Sequence, residues 1–224
     1  MSKKLFITGI NTHVNTPYIS ALILKKMKES KLKCGYFKPL LTNITDLAGH
    51  IIDSDVNYVI QNAELNELAE NCCSYWWKDN IPPHLAAKRV NQKIDIDKIK
   101  YDIAQINKKY DYLLIEGFGN ISSPIISSKE ENYLLKDLIW ELGLSTIIVA
   151  DSSSDNLSNL ILTAEYAKIN GIELEGVILM NYDSSNFVHW DNLEQIETLT
   201  SLNVIATIAS NSKEIMLLEG LFKE

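Results

Sequence analysis

Short apolar runs alternate with helix-length amphipathic segments along the whole chain, and this alternation limits the fold more than any other feature. Strands buried on both faces read as continuous apolar runs, and a helical crossover between two of them makes them parallel neighbours. Lys4 to Thr8 reads as the first strand and Lys33 to Lys38 as the second, closed by Pro39. Between them, Thr16 to Ser30 carries Ile19, Leu22, Ile23 and Met27 at helical spacing, with Lys25, Lys26 and Lys28 on the solvated side. Further along, the pattern predicts a helix over Ser54 to Gln61, a strand over Cys73 to Trp77 and a helix opened by Pro82-Pro83 and running through Val90. A helix over Asp95 to Lys109 then leads into the strand Tyr112 to Glu116, ended by Gly117. Helices over Asn132 to Leu142, Asn156 to Ile169 (with Gly171 just past its end), near Asn192 to Leu202 and from Ser212 interleave with strands Thr146 to Ala150, Val177 to Met180 and Val204 to Thr207. The expectation is one doubly wound α/β domain over residues 1–224, its mostly parallel sheet of about seven strands covered by helices on both faces. In such sheets ligands sit outside the carboxyl ends of the strands, so the loops that follow strands are where chemistry is sought.

Charge narrows the partners. The chain has 21 Lys and Arg against 29 Asp and Glu, a net charge of −8, and no basic run to neutralise a phosphate backbone, so nucleic acid is not expected. The longest apolar runs, such as Thr146 to Ala150, fall far short of the ~20 residues that span a bilayer. The start Met1-Ser2-Lys3-Lys4 has too short an apolar core behind it for a signal peptide, and a cytoplasmic location with no membrane association is the expectation. Cys34, Cys72 and Cys73 are odd in number with two adjacent, which fits reduced, buried thiols rather than a disulfide framework. His13, His50, His84 and His189 show no zinc-ligand spacing.

The first loop, Gly9-Ile10-Asn11-Thr12-His13-Val14-Asn15-Thr16-Pro17, stands between strand and helix where a phosphate-binding loop would stand. The longer form of that motif, G-x-x-x-x-x-G-K-T, would have glycine, lysine and threonine at Asn15, Thr16 and Pro17. The other loops carry Tyr36-Phe37-Lys38-Pro39, Ser54-Asp55, Pro83-His84, Ile115-Glu116-Gly117-Phe118-Gly119 and Asn181.

In their order and rough spacing, these motifs resemble the dethiobiotin synthetase family over essentially the full length of the chain. The resemblance implies a P-loop-type α/β fold, a homodimer, and an ATP- and Mg²⁺-dependent cyclo-ligase that closes the ureido ring of dethiobiotin on 7,8-diaminopelargonate with carbon dioxide. It implies that the backbone of Gly9, Asn11, Thr12, His13, Asn15 and Thr16 cradles phosphates at a helix N-terminus. By the same resemblance Lys38 stabilises charge in catalysis, Asp55 and Glu116 hold Mg²⁺, Asn181 reads adenine, and Thr42, Gly117 and Asn120 stand in the substrate loops.

The chain also departs from that pattern. Thr16 removes the loop lysine, and Pro17 removes both a magnesium-ligating hydroxyl and a backbone donor. Asn15 is the mildest change, because Asn tolerates left-handed backbone better than most residues. Thr42-Asn43 stands where Ser-Gly is usual, Asn120 ends a motif that normally reads E-G-A-G-G, and Ser153 and Asp155 fall where lysine and glycine are expected. Thr16-Pro17 also reads simply as a helix cap followed by proline in the first turn. Plainer readings stand beside the chemical ones elsewhere. Lys38 could be an exposed strand end, Asp55 a helix cap with Asp53 as its rival, Asn181 a turn residue, His13 an exposed loop residue, and Trp76-Trp77 core and rim packing or a protein interface. Two functions compete: an ATP-dependent enzyme of biotin synthesis, or a catalytically impaired or silent relative that binds a small molecule or a protein partner on the inherited dimer scaffold.

Overall fold

A computed structural model describes residues 3–153 and 156–216. In chain order its strands are β1 (Lys3–Gly9), β2 (Cys34–Phe37), β3 (Leu40–Leu41), β4 (Thr45–Leu47), β5 (His50–Asp53), β6 (Tyr75–Trp76), β7 (Tyr112–Glu116), β8 (Pro124–Ser127), β9 (Asn132–Leu134), β10 (Ser145–Asp151), β11 (Leu174–Met180) and β12 (Val204–Ile208). The helices are α1 (Thr16–Glu29), α2 (Asp55–Asn62), α3 (Pro83–Arg89), α4 (Ile96–Asn107), α5 (Leu135–Glu141), α6 (Leu157–Ile169) and α7 (Phe187–Thr200). The central sheet runs β12-β11-β10-β1-β7-β2, and every pair in it is parallel. It holds six strands rather than about seven, because β6 pairs with β3 instead of joining it.

The chain leaves β1 through α1 to reach β2 on the far side of β7, and leaves β7 to reach β10 on the far side of β1. The two crossovers depart in opposite directions from adjacent strands, so a crevice opens between the carboxyl ends of β1 and β7, the switch point of the sheet. Register places Ile7 opposite Glu116, which sets Gly9 and Glu116 at its mouth. The buried strands supply a continuous apolar core that includes Phe6, Ile7, Leu114, Ile115, Ile147 and Ile178, against which α1 lays Ile19, Ile23, Leu24 and Met27.

Several boundaries differ from the expectation for identifiable reasons. Asn132–Leu134 is strand, not helix: it pairs antiparallel with β8, and α5 begins only at Leu135, where the Leu134 N–H donates to the Asp137 side chain (2.8 Å). The helix expected near Asn192 starts earlier, because the Asn186 side chain accepts from the Val188 N–H and caps α7. A hairpin, β4 and β5, was not foreseen. Its Ala48-Gly49 turn has φ of 53° and 86°, the pair of positive values that suits a two-residue hairpin loop. Residues 212–216 are irregular rather than the start of a helix, and the rest of that expected helix lies outside the described residues, as does Asp155.

Trp77 is buried, stacked on Tyr75 (5.9 Å between ring centroids) and bonded through Nε1 to Gln92, while Trp76 is partly exposed beside it. This is the core-and-rim arrangement. All three cysteines are buried and unpaired by disulfide.

Candidate functional site

The loop after β1 is shaped by its own hydrogen bonds. Gly9 must be glycine: a Cβ there would come within 2.8 Å of the Asn11 carbonyl oxygen, a backbone atom that cannot move aside. Asn11 Oδ1 accepts from the His13 N–H (2.9 Å), the Thr16 N–H donates to the Val14 carbonyl (2.9 Å), and Asn15 Oδ1 accepts from the Tyr18 N–H (3.2 Å). Pro17 has no N–H to offer. The cap of α1 is therefore Asn15, not Thr16, and proline takes the second helical position. The Asn15 backbone is not left-handed (φ −80°), so the tolerance expected of asparagine is not used. His13, exposed, presents its side chain to solvent.

Two further ties fasten this loop. Asn11 Nδ2 donates to Asn156 Oδ1 at the start of α6 (3.2 Å), and Asn120 Nδ2 donates both to the Ile10 carbonyl (2.9 Å) and to Thr163 Oγ1 of α6 (2.8 Å). Nothing in the sequence signals the Asn11–Asn156 contact, which joins residues 145 positions apart. The loop after β7 seats on β1, where the Gly117 N–H donates to Ile7 (2.9 Å) and Thr8 Oγ1 donates to Gly119 (3.2 Å). A Cβ at Gly117 would press within 3.0 Å of the Phe6 ring and Leu135, so packing alone demands glycine there.

Lys38, Asp55 and Glu116 meet in the crevice. Lys38 is only 6% exposed and Glu116 1%, and the Lys38 Nζ donates to Glu116 Oε1 at 2.9 Å and to Asp55 Oδ2 at 2.5 Å. Burial by itself would pull the Lys38 ammonium down, but the adjacent Glu116 and Asp55 carboxylates outweigh it and hold the group above its ordinary value, so it stays charged. The plain readings of both residues fail geometrically. Lys38 is not an exposed strand end, and Asp55 is not the helix cap: Ser54 caps α2 by accepting from the Asn57 N–H, which frees Asp55 to turn to Lys38. Its rival Asp53 is exposed on β5. Ser20, from the buried face of α1, donates to Glu116 Oε2 at 2.6 Å. Sequence reasoning missed Ser20, and the available signal was a hydroxyl inside an otherwise apolar helical face. Tyr36 lies fully buried nearby, its phenol pushed well above its usual range by burial and by the Glu116 and Asp55 charges.

A cavity of about 480 Å³ opens on this trio, and Asn11, Thr12, Thr16, Thr42 and Gly117 line it together with Leu40, Ile81, Pro82, Pro83 and Phe118. His84, also on its wall, is pushed below its ordinary range by burial, which favours the neutral ring. Asn181 is elsewhere. It lines a separate groove of about 590 Å³ along the outer side of α1, with Asn15, Tyr18 and Lys25. Both ends of its amide are occupied, Nδ2 donating to Asp151 (2.5 Å) and Oδ1 accepting from Ser210 (3.1 Å), in a left-handed turn (φ 57°). The site expected from sequence is thus two regions, with the loop of residues 9–17 between them.

The residues of that loop offer a triphosphate less than the family pattern implies. A cradle needs free N–H donors and a cation; here the His13 and Thr16 donors are spent within the loop, the Tyr18 donor is spent on Asn15, Pro17 has none, and no lysine stands in the loop, so the cation and part of the donor set are missing.

A family described as an AAA domain matches residues 3–214. A relative from Clostridium botulinum (strain Alaska E43 / Type E3), named ATP-dependent dethiobiotin synthetase BioD, is 38% identical over 204 residues, covering 91% of this chain and 89% of the relative. A protein of the same name from Brachyspira hyodysenteriae is 36% identical over 208 residues, with 93% and 92% coverage. Among solved structures, a ParA family ATPase from Chlorobium tepidum aligns with a TM-score of 0.58 at 16% identity, covering 94% of this chain and 85% of that one. The MinC:MinD complex of Aquifex aeolicus aligns with a TM-score of 0.56 at 14% identity, with 95% and 83% coverage. These two likenesses concern the fold, a central parallel sheet with helices on both faces.

Proposed function

The chain belongs to the dethiobiotin synthetase family, and from that premise we propose that it is a member in which ATP-dependent ring closure is lost or much slowed while the small-molecule cleft is kept. The observation that carries this reading is the loop of residues 9–17, which has neither the lysine nor the threonine that its position calls for, has proline where a further N–H would stand, and spends the His13 and Thr16 N–H groups on its own acceptors. Each preorganised charge-stabilising group is worth roughly 10²–10³ in rate, and two are missing at once. Lys38 does not replace the absent cation, because Glu116 and Asp55 already hold it. The buried trio and the apolar wall beside it still make a built pocket for a small molecule.

The test is to incubate the purified protein with 7,8-diaminopelargonate, bicarbonate and Mg-ATP and to follow ADP release. We expect no release above the blank. A variant carrying Asn15→Gly, Thr16→Lys and Pro17→Thr gains nucleotide affinity. ADP release by the unaltered protein, matched by ring product and abolished in Lys38→Ala, would overturn the reading.

The protein acts as a homodimer paired through α6. That helix is apolar on two sides: Leu160, Ala164 and Ala167 face the core, while Leu162 and Ile169 are 68% and 80% exposed on the other side. Two large apolar side chains left exposed on one side of a helix, seven residues apart, suit a second covering surface. Exposed Glu165 and Lys168 on the outer side make it complementary to its own copy, as a two-fold interface requires. Among the described residues no helix is long and apolar enough to cross a membrane.

A further inference from the structure

Family membership implies a magnesium ion at Asp55 and Glu116, and the donor set found here does not fit one. An ion bridging the two carboxylates would need their oxygens at about 2.0–2.1 Å. The bridging position is the one the Lys38 Nζ occupies, 2.9 Å from Glu116 Oε1 and 2.5 Å from Asp55 Oδ2. The other oxygen of Glu116 accepts from Ser20 at 2.6 Å, so neither oxygen of the buried carboxylate is uncommitted. The ammonium is held by both carboxylates and its backbone is fixed. Lys38 is buried, its own N–H donates to the Cys72 carbonyl (2.8 Å), and Pro39 follows it. A third ligand is also missing. Pro17 stands where a hydroxyl would reach the ion, and among the described residues no group of three His, Cys, Asp or Glu gathers anywhere.

We infer that Lys38 is the resident cation of this cleft, holding by itself the place of a divalent metal, and that the protein binds no divalent ion at Glu116 and Asp55. This deepens the proposed function but rests on the buried trio rather than on the loop of residues 9–17, so the two can fail separately: ADP release tests one and metal alone tests the other.

The experiment titrates the full chain with Mn²⁺ alone, free metal being read by electron paramagnetic resonance. The unaltered protein leaves the Mn²⁺ signal unchanged up to millimolar metal. Lys38→Met vacates the bridging position, which then takes one Mn²⁺ with affinity raised by about tenfold or more, and the gain disappears in Lys38→Met with Glu116→Gln. One Mn²⁺ bound by the unaltered protein and lost in Asp55→Asn or Glu116→Gln would overturn the inference. So would a folded Lys38→Met that binds none. Should Lys38→Met not fold, the titration of the unaltered protein decides by itself.

Discussion

Replacing Glu116 by Gln and, separately, Asp55 by Asn sets distance against burial as the determinant of ion-pair strength. Distance favours Asp55, which lies 2.5 Å from the Lys38 Nζ against 2.9 Å for Glu116. Burial favours Glu116, whose side chain is fully enclosed, whereas that of Asp55 is 51% exposed. Burial should win, because water screens the half-exposed pair and leaves it about 0–1 kcal/mol, while breaking a buried pair strands a charge at about 3–5 kcal/mol. Gln keeps the shape and one acceptor: with its amide oxygen on Ser20, its NH2 group faces the Lys38 ammonium, so the charge and the Lys38 hydrogen bond are lost together. For a chain of this size each kcal/mol moves the melting temperature by roughly 2–4 °C, so Glu116→Gln should lower it by roughly 6–20 °C and Asp55→Asn by less than about 4 °C. Thermal unfolding followed by circular dichroism at neutral pH measures both. Lys38→Met combined with Glu116→Gln should cost less than the sum of its parts, because the stranded charge is then gone. Equal losses for the two single carboxylate variants would refute the argument, since they would mean that solvent does not discriminate between the pairs.

Other expectations follow from the same packing. Cys34, Cys72 and Cys73 are buried, and burial pushes the Cys72 and Cys73 thiols up to about 12, so the native protein should leave a thiol reagent unreacted at pH 8 and release three equivalents on denaturation. Rapid native labelling would contradict the burial. The alkaline limb of stability has a definite sign. Cys72, Cys73, Tyr36 and Lys38 all hold their protons more tightly folded than unfolded, so their contribution is complete below pH 9 and is lost as pH rises through the folded values. A melting temperature that is flat through neutral pH should fall above pH 9, and a rise there would sink this account. Leu162→Glu should convert a dimer to a monomer in light scattering while changing monomer stability by no more than about 0.5 kcal/mol, because the side chain is exposed. An unchanged mass would remove α6 from the interface.

The parts of the fold that were legible are those whose burial is written along the chain. Tyr112–Glu116 is enclosed on both faces and reads as an unbroken apolar run, and Glu116 stood out as the carboxylate that ends it. The β4–β5 hairpin did not, because its strands are short and mostly exposed, so no alternation marks them. Asn132–Leu134 merged with the following helix because its partner, Pro124–Ser127, is a tertiary fact. In the cleft, residue type identified Lys38, Asp55 and Glu116 as chemical candidates, but their type alone is equally compatible with a metal site and with a closed ion triad. The choice between those depends on where one ammonium sits, which three positions spread over 78 residues do not encode.

On the reading proposed above, the loop of residues 9–17 has changed its task without disturbing the fold. Its structural duty is to end β1, turn, and start α1, and that duty needs a small residue at Gly9 and a cap at Asn15. A side-chain oxygen on the first-turn N–H contributes typically ~1 kcal/mol, and proline early in the helix removes a donor that the helix does not use. Asn15 and Pro17 therefore suit the helix start well and an anion poorly, because each withdraws an N–H that a phosphate would otherwise take. The ties from Asn11 to Asn156 and from Asn120 to Ile10 act in the same sense, fixing the loop from the side of α6. Restoring lysine at position 16 alone would then return a charge to a loop in which the His13 and Thr16 donors stay committed and Pro17 offers none. Nucleotide affinity should recover only when Asn15 and Pro17 are replaced with it, and full affinity with Thr16→Lys alone would show that the internal hydrogen bonds yield to phosphate at little cost.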